Sequence, residues 1–165
     1  MGQITDIEQA LITRLQAELG EDGPALITRS MAGPAGTPVT VPVPIKSYPS
    51  KPNDQALKTL ASSGAVLVRY FGSKYGSPRY PEGLMVQDRA MLFEVHTVSE
   101  TLIPEAASSG IYDMLDLAAL RLIGHQPDGA CGYIELVQDD YVMEKGGAWE
   151  YGLIVSVPVQ ITVSI

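Results

Sequence analysis

The chain is poor in the residues from which reactive centres are built. Its single cysteine, Cys131, excludes an intrachain disulfide framework and a four-cysteine metal site. Its two histidines, His96 and His125, stand far apart, which argues against a histidine-rich metal centre. Basic residues are scarce as well. Eleven Lys and Arg face nineteen Asp and Glu, a net charge of −8, whereas a nucleic-acid binder would show a basic face. No long apolar run is present. Residues 151–165 lack charge but alternate apolar with polar, so they read as a strand and not as a membrane span. Residues 1–6 have no basic stretch leading into an apolar one, so no signal peptide is expected, and the protein is expected to be soluble and made in the cytoplasm.

Motifs of phosphate and acyl chemistry are missing too. There is no G-x-G-x-x-G, no G-x-x-x-x-G-K-[ST] and no G-x-S-x-G. The nearest approach, Gly72 to Ser77, lacks the phosphate-cradling spacing and reads as a surface loop. His96 is expected half-buried or at an interface within a strand. His125 is expected to cap a helix end, where its ring meets exposed carbonyls. Cys131 would need a base to act as a nucleophile, and only His125 is near in sequence. Glu135, Asp139, Asp140 and Glu144 suggest a cation site, but neighbours in an extended strand point to opposite faces, so a solvated turn is expected. No catalytic residue, cofactor or metal is therefore expected.

What is present is enough apolar residue for a core. The chain has 165 residues, 45% of them apolar, a size and composition that fit one domain over residues 1–165. Ile4, Ile7, Leu11, Leu15 and Leu19 recur at helical spacing and predict a helix over 5–19, with Thr5 and Glu8 as a capping box and Gly20 as its stop. Six prolines punctuate 31–52, where Val39, Val41, Val43 and Ile45 alternate with polar residues and proline. That predicts an edge strand or a polyproline-like arm. A short helix is predicted over 54–63, capped by Asp54. Strands are predicted at 65–71, 90–98, 133–138 and 150–163, and a helix at 109–123 capped by Ser109. Residues 72–88 read as a long Gly/Pro loop and 139–147 as a polar turn. Pro158 implies an edge, a bulge or a change of partner in the last strand. The fold class expected is α+β: a mixed, mostly antiparallel sheet with two main helices packed on one face.

Charge is distributed unevenly. Residues 1–45 carry net −3, residues 46–89 net +4 and residues 90–165 net −9. Around the predicted 72–82 loop, Tyr70, Tyr75 and Tyr80 interleave with Arg69, Lys74 and Arg79, and Arg89 follows. Tyrosine and arginine are favoured at protein interfaces. Arg69, Tyr70, Lys74, Tyr75, Arg79 and Arg89 are therefore the candidate interface residues. Base stacking in a basic groove is the rival reading, weakened by the net charge.

Three segments carry a family resemblance by their order and spacing: ITDIEQALITRL at 4–15, AVLVRYFGS at 65–73 and IYDMLDLAALRLIGH at 111–125. Together the chain resembles a small tail protein of Mu-like contractile-tail phages and prophages, related to tail terminator or tail completion proteins. The resemblance implies an α/β fold with a sheet backed by helices. It also implies a sixfold ring at the head-proximal end of the tail tube in the virion, assembled in the host cytoplasm. Such a ring stops tube and sheath polymerisation and offers a surface to the head–tail connector. Its partners would be further copies of itself, tube and sheath proteins and the connector, with DNA passing through the lumen unbound and no membrane involved. A ring closed by heterologous contacts needs two different complementary faces on one subunit, which the uneven charge can supply. Two alternatives remain at this point: a head–tail connector or other tail completion protein, and a small cytoplasmic α+β enzyme or ligand-binding domain.

Overall fold

The computed structural model describes residues 2–50, 53–62, 64–103 and 110–165. In chain order these form α1 (Gln3–Gln16), β1 (Thr28–Ala32), β2 (Pro38–Pro42), β3 (Ile45–Ser47), α2 (Asp54–Ala61), β4 (Ala65–Tyr75), β5 (Leu84–Ser99), α3 (Ile111–Leu122), β6 (Glu135–Lys145) and β7 (Ala148–Ser164). The main sheet runs β3-β4-β5-β7-β6. β3 lies parallel to β4, and every other pairing in it is antiparallel. The expected α+β class is the one found.

The alternation of side chains along each strand divides the molecule into two layers. Val66 and Val68 of β4, Met91, Phe93 and Val95 of β5, and Leu153 to Val159 at alternate positions of β7 face α1 and α3. Those helices answer with Ile7, Leu11 and Leu15, and with Ile111, Met114, Ala118 and Leu122. The opposite face carries a smaller cluster, in which Ala61 of α2 meets Ala65, Leu67 and Val98. The two longer helices thus share one face, as expected, and the short helix covers part of the other.

Several boundaries differ from those predicted. α1 starts at Gln3, and its N-cap Gly2 offers no side chain, so no Thr5–Glu8 capping box forms. It stops at Gln16 because its last carbonyls are taken by a buried arginine, Arg121, described below. Asn53, not Asp54, caps α2: its Oδ1 accepts the Ala56 N–H at 2.9 Å. α3 begins at Ile111 after Gly110, and the expected cap Ser109 lies outside the described residues. The proline-rich strand does not join the main sheet. β2 pairs with β1 in a separate two-stranded ladder, with Pro38 and Pro42 at its two ends, where lost N–H donors cost little. Only Ile45–Ser47 returns to the main sheet.

The predicted 72–88 loop is also corrected. β4 runs on to Tyr75 and β5 starts at Leu84, so the connection shrinks to 76–83. The interior glycine of the run, Gly72, follows a bulge after Tyr70 and does not break the strand. The predicted turn at 139–147 is strand as well: β6 continues to Lys145, and only Gly146 and Gly147 turn, both at positive φ, as a two-residue hairpin of this kind requires. Acidic residues mimicked a turn there because β6 is an edge strand open to water along its whole length. Pro158 sits on an edge. β6 leaves β7 at the Glu135–Ser156 pair, so Pro158 has a strand partner on the β5 side only.

Candidate functional site

The sheet is longer than its helical cover. Residues 69–75 of β4, 84–90 of β5 and 160–164 of β7 form a three-stranded blade in which every residue is exposed or half-exposed. Tyr75 is 56% exposed, Phe71 54% and Ile165, at the end of the apolar face of β7, 73%. All six candidate interface residues lie on this blade or its connecting loop, but the structure sorts them onto its two faces.

Tyr70, Tyr75 and Arg89 share the face of α1 and α3. Arg89 binds them together: its guanidinium donates to the Tyr70 hydroxyl at 3.2 Å and to Ser73 Oγ at 2.8 Å. It also lies 5.6 Å from the Tyr75 ring centre and reaches Gln3 Oε1 at the start of α1. Hydrogen bonding to Ser73, and then to Arg89, holds the Tyr70 phenol below its ordinary value. Arg69 and Lys74 project from the other face, by their register with Glu94 and Ala90. Arg69 donates to Glu94 Oε2 at 2.7 Å and covers the Tyr48 ring at 5.1 Å. Arg79, in the loop, pairs with Asp88 at 2.8 Å, an exposed contact of small energetic weight. Lys74 is exposed.

Beneath Arg69 lies a polar row that sequence reasoning did not find. His96, expected half-buried or at an interface, is fully buried in β5. Its Nε2 is 2.7 Å from Glu94 Oε2, and its Nδ1 is 2.7 Å from Glu150 Oε1, off the line of a good hydrogen bond. Glu150, itself 2% exposed, also accepts the Tyr48 hydroxyl at 3.1 Å. Burial first, then the Glu150 charge, push the Tyr48 phenol up to about 12. The only signal in the sequence was a pair of polar residues, Glu94 and His96, at alternate positions between Leu92 and Val98. Glu150 reaches them only because β7 pairs with β5, with Glu150 opposite Val98. The row is sealed. The crevice beside Glu150, lined by Leu57, Met143 and Trp149, has about 20 Å³, room for a water and not for a substrate. It ties Tyr48, just past β3, to the middle of the sheet.

The remaining candidates are spread out. His125 ends α3 through its backbone N–H to the Leu122 carbonyl, while burial and then the Arg14 charge hold its imidazole below the ordinary value. Cys131 is exposed, and its backbone N–H donates to the Pro158 carbonyl. Among the described residues no cluster of three or more His, Cys, Asp and Glu is placed to hold a metal ion, and no helix is long and apolar enough to cross a membrane.

A family model described as Gp37 protein matches residues 39–163. The match runs from the second residue of β2 to Val163, one residue short of the end of β7, including two of the three segments that carried the resemblance, and leaves out α1 and β1. No curated protein matches the chain.

Proposed function

Because the chain belongs to the Gp37 family, a phage-associated family, we propose that it is a structural tail protein. In this reading it forms a ring at the head-proximal end of a contractile tail, ends tube and sheath polymerisation, and offers the surface that joins the head. The observation that carries the reading is the bare blade. A lone subunit leaves between five and seven residues of each of three strands beyond the buried core, with Phe71, Tyr75 and Val163 in water. Exposed strand ends of this kind are an aggregation hazard that proteins normally blunt or cover. Covering them with further copies or with tube and sheath subunits makes use of the same surface. The clustered Arg69, Tyr70, Lys74, Tyr75, Arg79 and Arg89 supply side chains suited to such contacts.

Deleting the gene from its phage or prophage and viewing the tails by negative-stain microscopy tests this. Overlong or ragged tails with unattached heads are expected. Tails of normal length that fail to join heads would assign the chain to the connector instead. Normal infectious particles would remove both assembly roles.

A further inference from the structure

The main sheet has two uncovered edges that carry opposite charge. On one side β3 stops at Ser47, opposite Val68, and among the described residues no strand lies against 69–75 of β4. On the other side β6 pairs, among the described residues, only with β7, and all eleven of its residues are exposed. Each edge is interrupted by bulges: one after Tyr70 in β4, and two in β6, after Leu136 and after Tyr141. Each therefore presents one regular four-residue stretch, 72–75 on β4 and 138–141 on β6. The first holds Lys74, with Arg79 in the adjoining loop, and the second holds Asp139 and Asp140.

We infer that β6 of one copy docks antiparallel on the free half of β4 in the next, so that a single sheet passes from subunit to subunit. This rests on the ring reading above and names the joint. Three observations support it. First, the charges are complementary, whereas pairing β6 with itself would set Asp139 and Asp140 against their own copies. Second, the faces agree. Lys74 lies level with Ala90, and Asp140 with Gly152 and thus His96, all on the face of α2. Tyr75 and Tyr141 both lie on the face of α1 and α3, through Arg89 and through Tyr151. Continuing the sheet therefore brings Lys74 to the side where Asp140 projects. Third, the stagger permits closure. With Lys74 opposite Asp140, Lys74 stands level with Ala90 of β5 and Asp140 with His96, a step of six residues along the strand, an even number that keeps the faces matched. That is about 20 Å along the strands, against about 19 Å across four strands. The strands would incline by about 45°, at the upper end of the range of about 35–45° found in closed sheets.

Charge reversal tests the joint. One variant reverses β6 (Asp139→Lys with Asp140→Lys) and another reverses the β4 side (Lys74→Glu with Arg79→Glu). Mass is read by light scattering, and backbone exposure by hydrogen exchange. The wild-type chain is expected to assemble and each variant to stay monomeric with an unchanged melting temperature. An equimolar mixture is expected to assemble again, because each reversed edge then meets one of opposite sign. Amides in 72–75 and 138–141 should exchange at least tenfold more slowly in the wild-type assembly than in either variant. If a double variant fails to fold, Asp140→Lys alone gives the same reading. Variants that assemble like the wild type, or edge amides that stay fast in the assembly, would overturn the joint while leaving the ring reading in place. A wild-type chain that remains monomeric, both alone and with isolated tail tubes, would overturn the ring reading and the joint with it.

Discussion

Arg121→Met is the sharpest test of how this fold is held together. Arg121 is fully buried on α3, without an acidic partner among the described residues. Its guanidinium instead serves five backbone carbonyls. Nε donates to Leu15 at 2.9 Å, one terminal nitrogen to Pro24 and Ala25 at 2.8 and 3.0 Å, and the other to Arg14 at 3.3 Å and to Ala17. Three of these belong to the end of α1, where carbonyls have no partner within the helix and the helix dipole favours a cation. Burial, then the Arg14 charge, lower the guanidinium from its ordinary value, but arginine stays protonated. Methionine keeps the apolar stem and removes the fork. Five carbonyls would lose donors at about 1 kcal/mol each, and the relief of a buried charge would return about 2 kcal/mol. The net loss is about 3 kcal/mol, or a fall in melting temperature of about 6–12 °C for a chain of this length. Urea denaturation at neutral pH, with hydrogen exchange at the end of α1, measures both the global loss and its place. A stability within about 0.5 kcal/mol of wild type would refute the reasoning, because it would mean the buried charge costs as much as its bonds contribute.

Three other outcomes are expected. Lys74→Glu with Arg79→Glu should leave the monomer's melting temperature within about 1–2 °C, since both residues are exposed and the Arg79–Asp88 pair contributes under about 1 kcal/mol, while assembly weakens; loss of folding in a thermal melt would contradict the interface assignment. Glu150→Ala should cost about 2–4 kcal/mol in urea denaturation, because it leaves His96 Nδ1 and the Tyr48 hydroxyl facing a hole, and an unchanged midpoint would show the polar row to be idle. The raised Tyr48 phenol gives a pH signature. Its stabilising contribution is whole below pH 10, where the unfolded chain still holds the proton, and is lost as pH rises from 10 to about 12. The loss amounts to about 1–2 kcal/mol after discounting for partial exposure, and Tyr48→Phe should flatten that part of the alkaline stability curve; an equal slope in both proteins would remove Tyr48 as its source.

The candidate interface was only partly legible in the sequence. The local cluster of Tyr and Arg was visible, because it sits in one short stretch. Its division between two faces was not, because the bulge after Tyr70 resets the alternation that assigns each residue to a side. Glycines misled at Gly72, where neighbours across the ladder keep the strand intact, and Asp139 with Asp140 misled because water on an open edge accepts charge as readily as a turn does. The row of Tyr48, Glu94, His96 and Glu150 was out of reach, since its members lie up to 102 residues apart and meet only through strand pairing.

By itself the sequence determined what repeats locally. The stripe of Ile7, Leu11 and Leu15 and the alternation of Leu153, Val155, Val157 and Val159 set helix and strand, because burial of one face at a fixed period leaves no other conformation of comparable free energy. Even Arg121 stood at a core position, three residues after Ala118, though nothing local showed what it would bind. Only the tertiary structure decided the order β3-β4-β5-β7-β6, and with it which edges stay open and which charges line them. Strand pairing is a contest among non-local partners, decided by how the two faces can be buried together, and no window along the chain contains both sides of that contest.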